Sequence, residues 1–138
     1  MPDNEARPLT SLVPVLIGAG LAILIFDTLG ALASNRLGFS YSSLAPGSFI
    51  IYAGAGFFGG WRAGWFGAVL AGAAAAFIES TIGWGISWAL GPGRPPAGFT
   101  GVGSLLMTIV MVTVTGAIFG LGGGGVERLV RRSRKVAA

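Results

Sequence analysis

From Leu12 to Ala33 the chain runs for 22 residues with a single charged side chain, Asp27. As an α-helix that run is about 33 Å long, enough to cross a hydrocarbon core of about 30 Å. Three more apolar runs follow, at residues 44–60, 64–90 and 102–122. The second has 17 residues, near the lower limit for a crossing, and Pro46 stands near its start, where a helix tolerates proline. The third contains Glu79 and is stopped by Pro92, Pro95 and Pro96. The pattern predicts an all-α polytopic membrane protein, a bundle of four transmembrane helices.

Composition excludes the soluble alternative. Only 10% of residues are charged, 53% are hydrophobic and the mean hydropathy is +0.77, whereas a soluble domain needs about a quarter charged to cover its surface. The 138 residues suffice for one domain: an N-terminal segment 1–11, a membrane domain 12–126 and a basic tail 127–138. Trp61, Arg62 and Ala63 are all that separate the second and third runs, so those helices are expected to be antiparallel neighbours. Gly91 to Gly101, rich in Gly and Pro, is expected to be the most mobile loop.

Charge sets the expected orientation. Arg7, Arg62, Arg128, Arg131, Arg132, Arg134 and Lys135 fall on one side of the four runs, and Arg36 and Arg94 on the other. The positive-inside rule then places both termini in the cytoplasm and the chain in the cell membrane. Trp65 and Trp84 lie about 28 Å apart along a helix, a spacing that suits two interfacial aromatic belts, with Trp61 and Trp88 beside them; ordinary packing is the alternative. Ala31-Leu32-Ala33 resembles a signal-peptidase site. Asp3 and Glu5 near the start and the length of the apolar run argue instead for an uncleaved span.

The net charge of +4 resides in the tail, in Arg128, Arg131, Arg132, Arg134 and Lys135 against Glu127. A basic cluster directly after an apolar helix fixes topology and contacts lipid headgroups, and no nucleic-acid partner is expected. Cysteine and histidine are absent, which removes thiolate and imidazole chemistry; no cofactor and no metal are expected. Gly122 to Gly125 could suggest a phosphate loop, but no strand precedes them and no Lys-Ser/Thr pair follows. They are expected to end the fourth helix at the membrane surface.

Small residues recur every four positions: Gly56 and Gly60; Ala68, Gly72 and Ala76; Gly116, Gly120 and Gly124. In lipid, helices associate through close backbone approach, which such stripes permit. They could pack one bundle or form the interface of a homo-oligomer or larger membrane complex.

Asp27 and Glu79 are the residues expected to carry any mechanism, since intramembrane acids mark ion pathways. Gly20, Gly30, Ala31 and Ser34 share a helical face with Asp27, and Gly72, Ala75, Ala76 and Gly83 share one with Glu79. Both acids fall in the outer third of the membrane and could meet, sharing a proton or holding an exchangeable cation with Thr28, Ser80 or Thr81. The alternative is a pair of protonated packing residues. Phe26-Asp27-Thr28-Leu29-Gly30 resembles Ile78-Glu79-Ser80-Thr81-Ile82-Gly83 with one extra residue. Gly38-Phe39-Ser40 resembles Gly98-Phe99-Thr100, and Gly54-Ala55-Gly56-Phe57 resembles Gly116-Ala117-Ile118-Phe119. Three matches in one order suggest two tandem helical hairpins.

Ala22-Ile23-Leu24, Asp27, Gly38-Phe39-Ser40 and Pro46 together resemble the first hairpin of the small multidrug resistance transporters, which implies a transport role for Asp27. The chain departs from that family in the outer position of its acid, in Glu79, and in its later helices. An intramembrane aspartyl protease would need a Gly-x-Gly-Asp motif that is missing, and no enzyme activity is expected. Two functions remain: a non-catalytic packing or accessory subunit, and a proton- or cation-coupled small transporter.

Overall fold

The computed structural model describes residues 9–94 and 101–136. Among them the regular elements are all helical. A 3-10 turn at Leu9–Leu12 leads into α1 (Val13–Leu37), and a second at Tyr41–Leu44 leads into α2 (Ala45–Ile78). A π turn, Glu79–Gly83, then joins α2 to α3 (Trp84–Leu90), and α4 spans Val102–Val136. Three stretches are long and apolar enough to cross a membrane: Thr10–Leu37, Tyr41–Leu90 and Val102–Val136. Most of the Gly- and Pro-rich loop, residues 95–100 with the Gly98-Phe99-Thr100 motif, lies outside the described residues, as do Asp3, Glu5 and Arg7.

Pro14 opens α1 where a missing N–H does no harm, and Gly38 closes it with φ 74°, donating its N–H to Ser34 O at 2.9 Å. That left-handed geometry strains any residue with a Cβ.

The second stretch is not a single rod. Ala63 (φ −139°, ψ 25°) and Gly64 (φ 64°, ψ −152°) leave the helical region. A Cβ placed on Gly59 would strike Gly67 O and lie 2.8 Å from Ala71 Cβ, although an unbroken helix would separate residues 59 and 71 by about 18 Å. The chain therefore doubles back, and two limbs, residues 45–62 and 65–78, lie against each other. The connection foreseen from Trp61 to Ala63 shrinks to a break at residues 63–64.

Both limbs pack on α4 through glycine. Gly56 faces the Gly120 backbone, and Gly72 faces Gly116 O and lies with its absent Cβ 2.7 Å from Gly120 Cα. A Cβ on Gly60 would be 3.2 Å from Gly124 Cα, one on Gly124 2.6 Å from Ala68 Cβ, and Gly116 abuts Ala76 Cβ. Every small residue of the three stripes thus has a partner within the chain. α1 covers the opposite side of α2, with Ile78 against Gly20 and Phe26 against Gly47.

α4 does not end at Gly122–Gly125 as the sequence suggested; it continues as helix to Val136, so the basic segment extends the fourth helix. Four glycines cost a helix about 1 kcal/mol each. Here Gly123 packs directly on Ala53 O and Phe57 N, Gly124 and Gly125 pack on Trp65, and beyond them Glu127 pairs with Arg131. Close packing that only glycine permits outweighs glycine's poor helix propensity.

The molecule is apolar outside and partly polar inside. Ile17, Leu21, Ile25 and Leu29 on α1 are 56–61% exposed, while Asp27, Ser34, Ser48, Ser80, Ser87 and Glu127 are buried. Water would favour the reverse arrangement, and a hydrocarbon solvent favours this one.

Candidate functional site

Asp27 lies on the buried face of α1, in line with Ala19, Gly20, Ile23, Gly30, Ala31 and Ser34, and is 2% exposed. Tyr41, in the 3-10 turn that follows α1, donates its hydroxyl proton to Asp27 Oδ1 at 2.9 Å. Asp27 Oδ2 is buried with no hydrogen-bond partner among the described residues. It points at Gly83, where a Cβ would collide with it and would lie 3.6 Å from Glu79 Cγ. Glycine at position 83 is what lets α1 bring Asp27 up to the turn that carries Glu79.

Glu79 begins the π turn. Ser48 and Tyr52, one helical turn apart on the first limb of α2, both reach it. Ser48 Oγ donates to Oε1 at 2.8 Å and the Tyr52 hydroxyl donates to Oε2. Both residues are buried. A π turn places one more residue in each turn than an α-helix and shifts the side chains around it; Glu79 and Gly83 are its first and last residues.

Both carboxylates line one cavity of about 510 Å³. It lies at the end of the bundle that holds the α1–α2 connection and residues Ser87 to Gly93. Beside the acids, Tyr41, Ser42, Ser48, Tyr52, Ser87 and Thr115 supply its polar surface, and Phe49, Trp84, Trp88 and Val112 much of its apolar wall. Phe49 stacks on Phe119 of α4 with ring centroids 4.5 Å apart, which fixes that wall. Asn35 Nδ2 donates to Leu90 O at 2.7 Å and ties the end of α1 to the end of α3 beside the cavity.

The hydroxyls expected beside the acids lie elsewhere. Thr28 Oγ1 donates to Leu24 O at 2.7 Å, Ser80 Oγ to Phe77 O at 3.2 Å and Thr81 Oγ1 to Phe77 O at 2.6 Å. Each bonds back to its own helix, as Ser and Thr do where no better acceptor is in reach, and none lines the cavity. Tyr41, Ser48 and Tyr52 take the places foreseen for them. The spacing of Ser48 and Tyr52, two polar side chains four residues apart on an apolar helix, was the available signal.

The basic segment docks at the other end of the bundle. The Arg128 guanidinium lies 4.1 Å from the centroid of the Trp65 ring. Arg131 pairs with buried Glu127, donates to Trp61 O at 2.7 Å and covers the Trp61 ring at 4.7 Å. Arg134 approaches the same ring at 6.0 Å, whereas Arg132 and Lys135 are exposed. Among the described residues no three acid, His or Cys side chains come together as a metal would require.

Compared with known protein families, with curated proteins and with solved structures, the chain matches none. The likeness of its first hairpin to small multidrug resistance transporters rests on the quoted residues alone.

Proposed function

We propose that this chain is a small four-span membrane transporter that exchanges protons for a cation at Asp27 and Glu79 and catalyses no covalent reaction. The observation that carries the reading is the shared cavity: two intramembrane acids open into one space, each held by a tyrosine hydroxyl. An ionised acid within a membrane helix is costly and marks an ion or proton pathway, so a pair in one cavity favours a functional arrangement. Aromatic rings beside carboxylates favour a cation as the guest.

Four crossings follow if each limb of α2 spans the membrane, the second continued by the π turn and α3. The excess of Lys and Arg on the side of Arg62 and the α4 extension favours cytoplasmic termini in a cell membrane, which opens the acid cavity outward. The tandem-hairpin reading gains support from the π turn: the second acidic motif has one residue more than the first, and a π turn accommodates one extra residue.

The accessory-subunit reading drew on the small-residue stripes as an oligomer interface. Those stripes are occupied by the chain's own helices, which removes that support for an oligomerising subunit.

Proton release tests the proposal. Lightly buffered protein in detergent is titrated with sodium chloride or tetraethylammonium chloride while the bulk pH is followed. Release is expected in the wild type and is diminished in Asp27→Asn and Glu79→Gln. Absence of release with both cations, or release from both variants equal to that of the wild type, contradicts it.

A further inference from the structure

A second groove, of about 760 Å³, lies between α1 and the first limb of α2, toward the end of the bundle opposite the acids. Its floor is made of small residues, among them Gly18, Ala22 and Gly54, and Phe57 and Phe58 stand beside it. A Cβ on Gly18 or on Gly54 would meet no heavy atom within 4 Å. These two glycines therefore serve no helix contact, unlike those facing α4; they keep the groove open. One end is polar: Trp61 and Arg62 close it. No carboxylate is paired with Arg62 among the described residues, and the nearby acid, Glu127, is already engaged by Arg131. Arg134, 6.0 Å from the centroid of the Trp61 ring, adds positive potential at the same end, where Glu127 balances the charge of Arg131.

The geometry points to a bound anionic phospholipid, with one acyl chain along the glycine floor and its phosphate at Arg62. Length supports this occupant. Ile51 to Arg62 rises about 17 Å along the helix, close to the roughly 15 Å depth of one leaflet's hydrocarbon. The charged end therefore sits where a headgroup sits and the apolar end where a chain ends. A second copy of the protein fits less well, because a two-fold axis along the membrane normal would bring two Arg62 side chains to the same depth. This site does not depend on the transport reading.

The test uses the full chain in detergent with dioleoyl phosphatidylglycerol or dioleoyl phosphatidylcholine added, bound lipid being counted by native mass spectrometry. The wild type retains phosphatidylglycerol in preference. Arg62→Gln lowers that retention about five-fold, the value of one cation near an anionic headgroup, and lowers that of phosphatidylcholine less, because choline already balances its phosphate. Gly54→Leu fills the floor and lowers retention of both lipids; should it fail to fold, Arg62→Gln decides alone. Arg132→Gln with Lys135→Gln leaves the preference in place. Equal retention of the two lipids by the wild type overturns the proposal. So does a preference that survives Arg62→Gln and vanishes in the tail variant, or a dimer that Gly54→Leu dissociates with lipid retention unchanged.

Discussion

Tyr52 donates its hydroxyl proton to Glu79 across 27 residues of sequence, and the reversal at Ala63 and Gly64 makes the contact. That bond, with the one from Ser48, ties the two limbs of α2 together at the end far from their turn.

Tyr52→Phe leaves one oxygen of the half-buried Glu79 carboxylate without its hydroxyl donor, which costs about 1 kcal/mol. Thermal unfolding in detergent measures it. Adding Glu79→Leu, which removes the acceptor, in a double-mutant cycle should show coupling between the two positions, because they share one hydrogen bond.

Gly83→Ala should displace Asp27, since the new methyl takes the place of Oδ2. Gly85→Ala, two residues on, meets open space and serves as its control. Overpacking at the first site costs about 1–3 kcal/mol, and the second change is expected to be neutral or mildly stabilising. Equal melting temperatures for the two variants would remove the argument for close approach of α1 and the π turn.

A similar pair tests the packing of α4. A Cβ on Gly120 would lie 2.5 Å from Ala68 O and 3.0 Å from Gly72 Cα, whereas one on Gly122 meets nothing within 4 Å. Gly120→Ala should therefore destabilise the fold, and Gly122→Ala should raise stability by about 1 kcal/mol through helix propensity. Melting temperatures of the two variants in the same detergent compare them directly.

Arg131→Ala strands buried Glu127 and removes the donor to Trp61 O. A loss of about 3 kcal/mol is expected, against a near-neutral Arg132→Ala at an exposed position. Denaturant midpoints measured side by side would show the contrast.

Much of this architecture is legible in the sequence because lipid imposes simple rules. The apolar runs, the acid on each buried face and the stripes of small residues follow from length, periodicity and the need for backbone contact. The face of α1 around Asp27 is an example: Gly20, Gly30, Ala31 and Ser34 share it in sequence and are buried with it in the structure. What escapes is chemistry assembled across distant segments. Tyr52 reaches Glu79 only once the chain has folded back at residues 63–64, and Tyr41 reaches Asp27 only through the turn after α1, so nothing adjacent to either acid identifies them. Thr28, Ser80 and Thr81, adjacent in sequence, were the natural candidates, yet their hydroxyls turn to carbonyls of their own helix. The course of α4 through Gly122–Gly125 escapes for a related reason: local propensity argues for a stop, and the partners that reverse it, Ala53, Phe57 and Trp65, lie more than fifty residues away.

The account depends most on each limb of α2 crossing the membrane by itself. The chain contains no cysteine, so single cysteines can be introduced at Ser42, Arg62, Gly93 and Ser133 without altering a background thiol. A membrane-impermeant maleimide is then applied to intact cells and to inverted vesicles. Cysteines at 42 and 93 should label from one face and those at 62 and 133 from the other. Labelling of 42 and 93 from opposite faces, with 62 protected from both, would mean a single passage through that stretch and would contradict the account.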